Sequence, residues 1–114
     1  MVQSKVIGQK GEDLAADFLA QKGYRIVERN FRSRFGEIDL IVKKKKTLVF
    51  VEVKARKDFA PEWAINRHKL ARVQKMAEVY LIKKNPGYQN LRIDVVCILF
   101  KEEPKITHYQ AVQI

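Results

Sequence analysis

The sequence predicts a three-layer α/β domain, with one mixed β-sheet between two helices, and three observations carry that reading. Two stretches, Val6 to Lys22 and Asn66 to Lys84, place apolar residues at helical spacing. Between them, GEIDLIV and TLVFVEVKA are two β-prone runs flanking lysines, in the manner of an antiparallel hairpin. The second run is apolar on both of its alternating sets, Leu48 with Phe50 and Val49 with Val51 and Val53. Such a strand must be central and covered on both faces.

In the first helix Ile7, Gly11, Leu14, Ala15, Phe18 and Leu19 share one side of a 3.6-residue wheel, and Gly23 ends it. YRIVERNF, Tyr24 to Phe31, reads as a strand with mixed faces, followed by a basic loop of Arg32, Ser33 and Arg34. The hairpin comes next, and Lys57 to Pro61 interrupts the pattern after it. The second helix carries Leu70, Val73, Ala77, Tyr80 and Leu81, and Asn85, Pro86 and Gly87 stop it. Leu91 to Phe100 is a strongly β-prone run, and KITHYQAV near the end is a weaker edge-strand candidate. The order is αβββαβ, with room for one more strand. No linker or repeat divides residues 1–114, so a single domain is expected.

Hydrophobic residues at 46% and charged residues at 32% are ordinary for a folded chain and exclude wholesale disorder. The longest apolar runs, TLVFV and VVCILF, are far too short for a bilayer crossing of about 20 residues. The first residues carry no apolar leader, and Cys97 is the only cysteine. A cytoplasmic protein without disulfides or membrane association is therefore expected. The 23 Lys and Arg against 13 Asp and Glu give a net charge of +10. That excess attracts polyanions, nucleic acid above all.

Strand alternation decides which side chains can act together. Glu37 and Asp39 share one face of the first hairpin strand, and Phe50, Glu52 and Lys54 share one face of the second. With Val42 opposite Thr47, Asp39 faces Phe50 and Glu37 faces Glu52, so all four charges lie on one side. A slip of one residue would separate them. Three carboxylates beside Phe50 and Leu48 repel one another and lose hydration, so the arrangement calls for a cation. Oxygen donors without Cys or His suit Mg²⁺ or Mn²⁺. Glu12 lies at the edge of the helical stripe, where it can lean over the site, whereas Asp13 and Asp17 fall on the solvent side. Asp39, Glu52 and Lys54 thus fit phosphodiester hydrolysis, with the ammonium orienting water or stabilising the phosphorane charge.

GEIDLI followed by VFVEVKAR resembles the core of the PD-(D/E)xK nucleases. Together with GEDLAADFLAQKGYRI, AINRHKLARV and RIDVV, the chain from Gly8 to about Phe100 is similar to the YraN family of small bacterial proteins, itself similar to archaeal Holliday junction resolvases. The resemblance implies a restriction-endonuclease-like fold. It implies metal binding by Asp39, Glu52, the Val53 carbonyl and Glu12, with Lys54 catalytic; Glu37 is an additional candidate acid from the shared strand face alone. Ile38 stands where the superfamily has Pro. Ala55 stands where relatives often carry a hydroxyl or amide residue.

Basic residues supply candidate phosphate contacts: Arg32, Arg34 and Arg56, Lys69 and Arg72 on the second helix, and Lys44 and Lys45 within the lysine turn. Phe59 and Trp63 are read chiefly as plugging the helix entry, with base stacking as the alternative. His68 and His108 lack metal-ligand spacing, Cys97 is read as a buried thiol, and Asp94 as a structural hydrogen-bonding residue. The expected activity is a metal-dependent, structure-selective DNA endonuclease acting in repair or recombination on branched or single-stranded DNA. Its alternative is a non-catalytic nucleic-acid-binding module on the same fold. An RNA-binding protein, a third reading, rests on charge alone. Junction cleavage would suit a two-fold homodimer, but no segment marks an interface.

Overall fold

A computed structural model describes residues 2–84 and 86–113, so Asn85, expected at the end of the second helix, lies outside the described residues. The chain runs α1 (Val2–Gln21), β1 (Arg25–Ser33), β2 (Gly36–Lys44), β3 (Thr47–Arg56), a short 3₁₀ turn (Pro61–Ala64), α2 (Arg67–Lys84), β4 (Asn90–Leu99) and β5 (Lys105–Tyr109). The strands form one sheet in the order β1-β2-β3-β4-β5, with β3 and β4 parallel and the other pairs antiparallel. The architecture is the expected three-layer one. β3 occupies the centre because both of its faces are apolar, and β5 adds the extra edge strand.

Each helix buries its stripe on a different face of the sheet. Ala15 and Leu19 of α1 pack with Leu40, Val42, Val49, Val51, Val96 and Ile98. On the other face Val73, Met76, Ala77 and Tyr80 of α2 pack with Phe31, Ile38, Ile41, Leu48 and Phe50. Asn66 caps α2, its Oδ1 accepting the Lys69 N–H at 3.0 Å. Gly23, at φ +95°, supplies the left-handed residue that ends α1. At Gly11, α1 approaches β3 so closely that an added Cβ would stand 2.5 Å from the Ala55 Cβ. Ala55 is accordingly buried, and faces α1 rather than the side that carries Lys54.

Three local expectations are corrected. Arg32 and Ser33 belong to β1, which leaves only Arg34 and Phe35 in the turn. The hairpin closes on Lys44 opposite Thr47, with Lys45 in left-handed conformation at φ 55°. Two more ladder pairs form around that two-residue turn, so the register is shifted from Val42 opposite Thr47. The shift is even, and the faces are unchanged. Trp63 does not plug the helix entry: it is 77% exposed, while Pro61 of the same turn is buried.

The one fully buried acid among the described residues is Asp94. It accepts two hydrogen bonds from Arg92 (2.8 and 2.9 Å), one from the Ala111 N–H (3.0 Å), and pairs with His108 Nε2 at 2.7 Å. Burial alone would raise its carboxyl, but these bonds outweigh burial and hold it below the usual value. Asp94 and His108 are thus structural, Cys97 is buried and His68 is exposed, as expected. No helix among the described residues is long and apolar enough to cross a membrane.

Candidate functional site

The β2–β3 ladder runs from Lys44 opposite Thr47 to Leu40 opposite Val51, and there it stops. Beyond the fork the Asp39 side chain replaces the missing ladder bond, its Oδ2 accepting the Val53 N–H at 2.8 Å. This places Asp39 level with Glu52 rather than with the expected Phe50. Side-chain alternation reverses at the same point. Ile38 and Ile41 belong to the α2-side core, whereas Leu40 and Val42 belong to the α1-side core. Across β1, Asn30 lies between the pairs Arg29–Leu40 and Phe31–Ile38, and so opposite Asp39. Its φ of 54° puts a non-glycine residue in the left-handed region.

That twist lets one side chain reach two acids. Asn30 Nδ2 donates to Glu12 Oε1 at 2.9 Å and to Glu37 Oε1 at 2.6 Å. Glu12, Glu37 and Asp39 each bring a carboxylate oxygen within 4.8 Å of the others. Glu37 therefore turns toward Glu12 and Asn30 rather than facing Glu52. Glu12 occupies the edge of the α1 stripe, half-buried, while Asp13 and Asp17 are exposed, as the wheel predicts.

Glu52 sits on the other side of Asp39 and forms an ion pair with Lys54 at 3.2 Å, both side chains largely buried. Burial, then the hydrogen bond and charge of Glu52, push the Asp39 carboxyl up to about 9 against the lowering effect of the Val53 N–H. Gly36, Glu37, Asp39, Glu52, Val53, Lys54, Lys69, Arg72 and Val73 line a cleft of about 280 Å³. The Lys54 charge, followed by burial and the Arg56 charge, lowers the Lys69 ammonium, so cations crowd one wall of the cleft. Arg72 lies against Gly36, where a Cβ would stand 3.2 Å from its Cδ. A roomier groove, about 620 Å³, runs between α2, β4 and the Ala111–Gln113 segment, but Glu78 is the only acid lining it.

The donor chemistry fits a hard divalent cation: four carboxylates and no thiol or imidazole, with the Lys54 ammonium against Glu52. Of the residues expected at the site, the fold brings together Glu12, Glu37, Asp39, Glu52, Val53 and Lys54, flanked by Lys69 and Arg72. Arg32 borders it through a 3.5 Å contact with Glu37. Arg56 donates to the Ala55 carbonyl and lies over the Phe59 ring, and Arg34 lies over Phe35 in the β1–β2 turn. Lys44 and Lys45 sit at the opposite end of the hairpin, about 17 Å from Asp39 by strand rise. Lys44 Nζ there donates to the Lys22 carbonyl at 2.8 Å. Asn30 was not among the expected residues. Its one sequence signal is a strand-averse Asn inside a β-prone run.

A family model described as Uncharacterised protein family UPF0102 matches residues 11–98, which contain the whole cleft. A UPF0102 protein of Dictyoglomus thermophilum is 38% identical over 112 residues, covering 96% of this chain and 95% of that one. One from Geobacter sulfurreducens is 42% identical over 110 residues, covering 92% and 86%. Another, from Persephonella marina, is 41% identical over 99 residues, covering 84% and 85%.

Proposed function

The chain belongs to the uncharacterised protein family UPF0102, and we propose that it is a divalent-metal-dependent, structure-selective DNA endonuclease. One observation carries the reading: Asp39, half-buried against Glu52 and beside Glu12 and Glu37, is pushed up to about 9, and among these acids the Lys54 ammonium pairs with Glu52 alone. Neutralising such a site with a cation removes a standing electrostatic cost.

Asp39, Glu12, Glu37 and Glu52, with the Val53 carbonyl, would hold Mg²⁺ or Mn²⁺. When bound, such an ion lowers the pKa of a water and clamps a phosphate oxygen. Lys54, anchored on Glu52, donates to the attacking water or to the oxygen that gains charge as the new P–O bond forms. Lys69 and Arg72 neutralise the neighbouring phosphates, which keeps the scissile group over the carboxylates. Hydrolysis then leaves one strand end with a phosphate and the other with a hydroxyl. The substrates in view are branched or single-stranded DNA of repair and recombination in the cytoplasm.

A cleavage panel tests this reading: duplex, single-stranded, flap, forked and four-way-junction DNA, with RNA beside them, in Mg²⁺, in Mn²⁺ and in EDTA. Metal-dependent cutting of at least one unpaired or branched DNA is expected. Tight binding without cutting in any metal would overturn the enzyme and leave a nucleic-acid-binding module.

A further inference from the structure

Beyond the carboxylates, β3 leads through Arg56 to two aromatic rings that the fold leaves in solvent. Phe59 is 44% exposed and Trp63 77% exposed. Their centroids are 5.8 Å apart and their planes 18° apart, a stacked pair. The segment beneath them is anchored. Pro61 is buried, the Tyr109 hydroxyl donates to Glu62 at 2.6 Å, and the Ile65 N–H donates to the Glu62 carbonyl at 3.0 Å. These rings are thus held outward by a fixed turn.

One cation lies directly beside them, between the acids Asp58 and Glu62 of the same segment and the cleft. The Arg56 guanidinium lies 5.7 Å from the Phe59 ring centre, and the charges of Lys54 and Arg56 both act on Lys69 in the cleft wall. Phe59 is five steps along the chain from Lys54, which bounds their Cα separation at about 17 Å. Phosphate-attracting and base-attracting surfaces therefore adjoin. An aromatic face with an arginine against it and a lysine-lined cleft next to it is complementary to a polyanion that carries flat rings, and single-stranded nucleic acid is that polymer.

We propose that Phe59 and Trp63 are a stacking platform for an unpaired base of the DNA strand whose phosphate enters the carboxylate cleft. The proposal rests on the nuclease reading of that cleft and adds the substrate class: DNA with at least one unstacked nucleotide beside the scissile bond. The two rings already touch, so the base extends the stack rather than entering it. Interior base pairs of a duplex are stacked on both faces, so away from its ends duplex engages only the cations.

Trp63 is the single tryptophan of the chain, so its fluorescence reports the contact directly. The natural protein in EDTA is titrated with oligothymidylate, with an abasic oligonucleotide of equal length, and with blunt duplex. Quenching by oligothymidylate alone is expected. Anisotropy with labelled DNA should show Trp63→Ala weakening single-strand binding about 5- to 150-fold while leaving duplex binding unchanged, with Trp63→Phe recovering most of the loss. Oligothymidylate that binds without quenching, or a Trp63→Ala loss equal for single strand and duplex, would overturn the platform. Because no metal is present, these outcomes are separate from the cleavage panel: quenching without cutting in any metal retires the nuclease and keeps the platform.

Discussion

Asp39 accepts the Val53 N–H at 2.8 Å although the ladder between their strands has already ended at Leu40 and Val51. A side chain thus closes the fork, and it does so while half-buried against a second carboxyl. The folded-state value near 9 lies above the ordinary 3.8. The metal-free fold therefore binds more protons than the unfolded chain, and this contribution to stability is lost as pH rises from about 4 through about 9. Asp39→Asn keeps an acceptor for the Val53 N–H and removes the charge. In EDTA at pH 9 it should melt at or above the natural protein. Mn²⁺ at about 100 times its Kd should raise the natural protein's Tm by roughly 10 °C but hardly move that of Asp39→Asn. Scanning calorimetry across pH checks both statements.

The opposite slope belongs to the buried network at the other side of the sheet. Burial lowers the His108 imidazole against the raising effect of Asp94, so its contribution to stability is present above about pH 6.5 and is lost as pH falls through its depressed folded value. Replacing His108→Gln should flatten Tm between pH 7 and pH 5. Asp94→Ala, which leaves Arg92 with the Tyr24 hydroxyl but no carboxylate, should cost about 3–5 kcal/mol by denaturant unfolding.

Lys54→Ala and Glu52→Gln should each reduce metal-dependent cleavage by at least about 10²-fold while near-ultraviolet circular dichroism stays native, because each removes part of the charge-stabilising apparatus. Single-turnover assays on the best substrate decide this. Undiminished cutting by purified Lys54→Ala would place the activity elsewhere.

Asn30 offers a paired test of strain and bonding. Asn30→Ala loses two bonds to carboxylates and puts a Cβ residue at positive φ without a side-chain bond to support it. A loss of about 2–4 kcal/mol is expected, and Asn30→Gly should recover about 1 kcal/mol of it. Equal losses in the two variants would assign the whole effect to the hydrogen bonds.

The position of the cations predicts which of them set the salt dependence. Lys69→Ala and Arg72→Ala should each lower the slope of log K against log salt on duplex DNA by up to about 0.9. Lys44→Ala and Lys45→Ala, at the far end of the hairpin, should leave it unchanged. Filter binding between 50 and 200 mM salt measures the four slopes.

Layer order and the central strand were legible because β3 is apolar on both faces and each helix carries one stripe; no alternative arrangement buries Val49 and Phe50 at once. The grouping of Asp39, Glu52 and Lys54 was legible for the same reason, since parity survives an even error in register. The position of Glu37 was not. It depends on the reversal of alternation across Asp39, which a period-2 pattern cannot encode. Trp63 was misread because Pro61, two residues earlier, fills the place an aromatic was expected to take.

The distorted β1 has a second consequence, for colloidal behaviour. β1 is an edge strand of nine residues, and a straight edge of that length is a template for another chain. Its register shifts between Ile26 and Glu28, and Asn30 breaks the extended backbone four residues after Ile26. Only short regular stretches remain between these irregularities, with Arg25, Glu28, Arg29 and Arg32 along them. The kink that carries Asn30 to two acids therefore also withholds a continuous row of amides from a neighbouring molecule, and guards the protein against edge-to-edge aggregation.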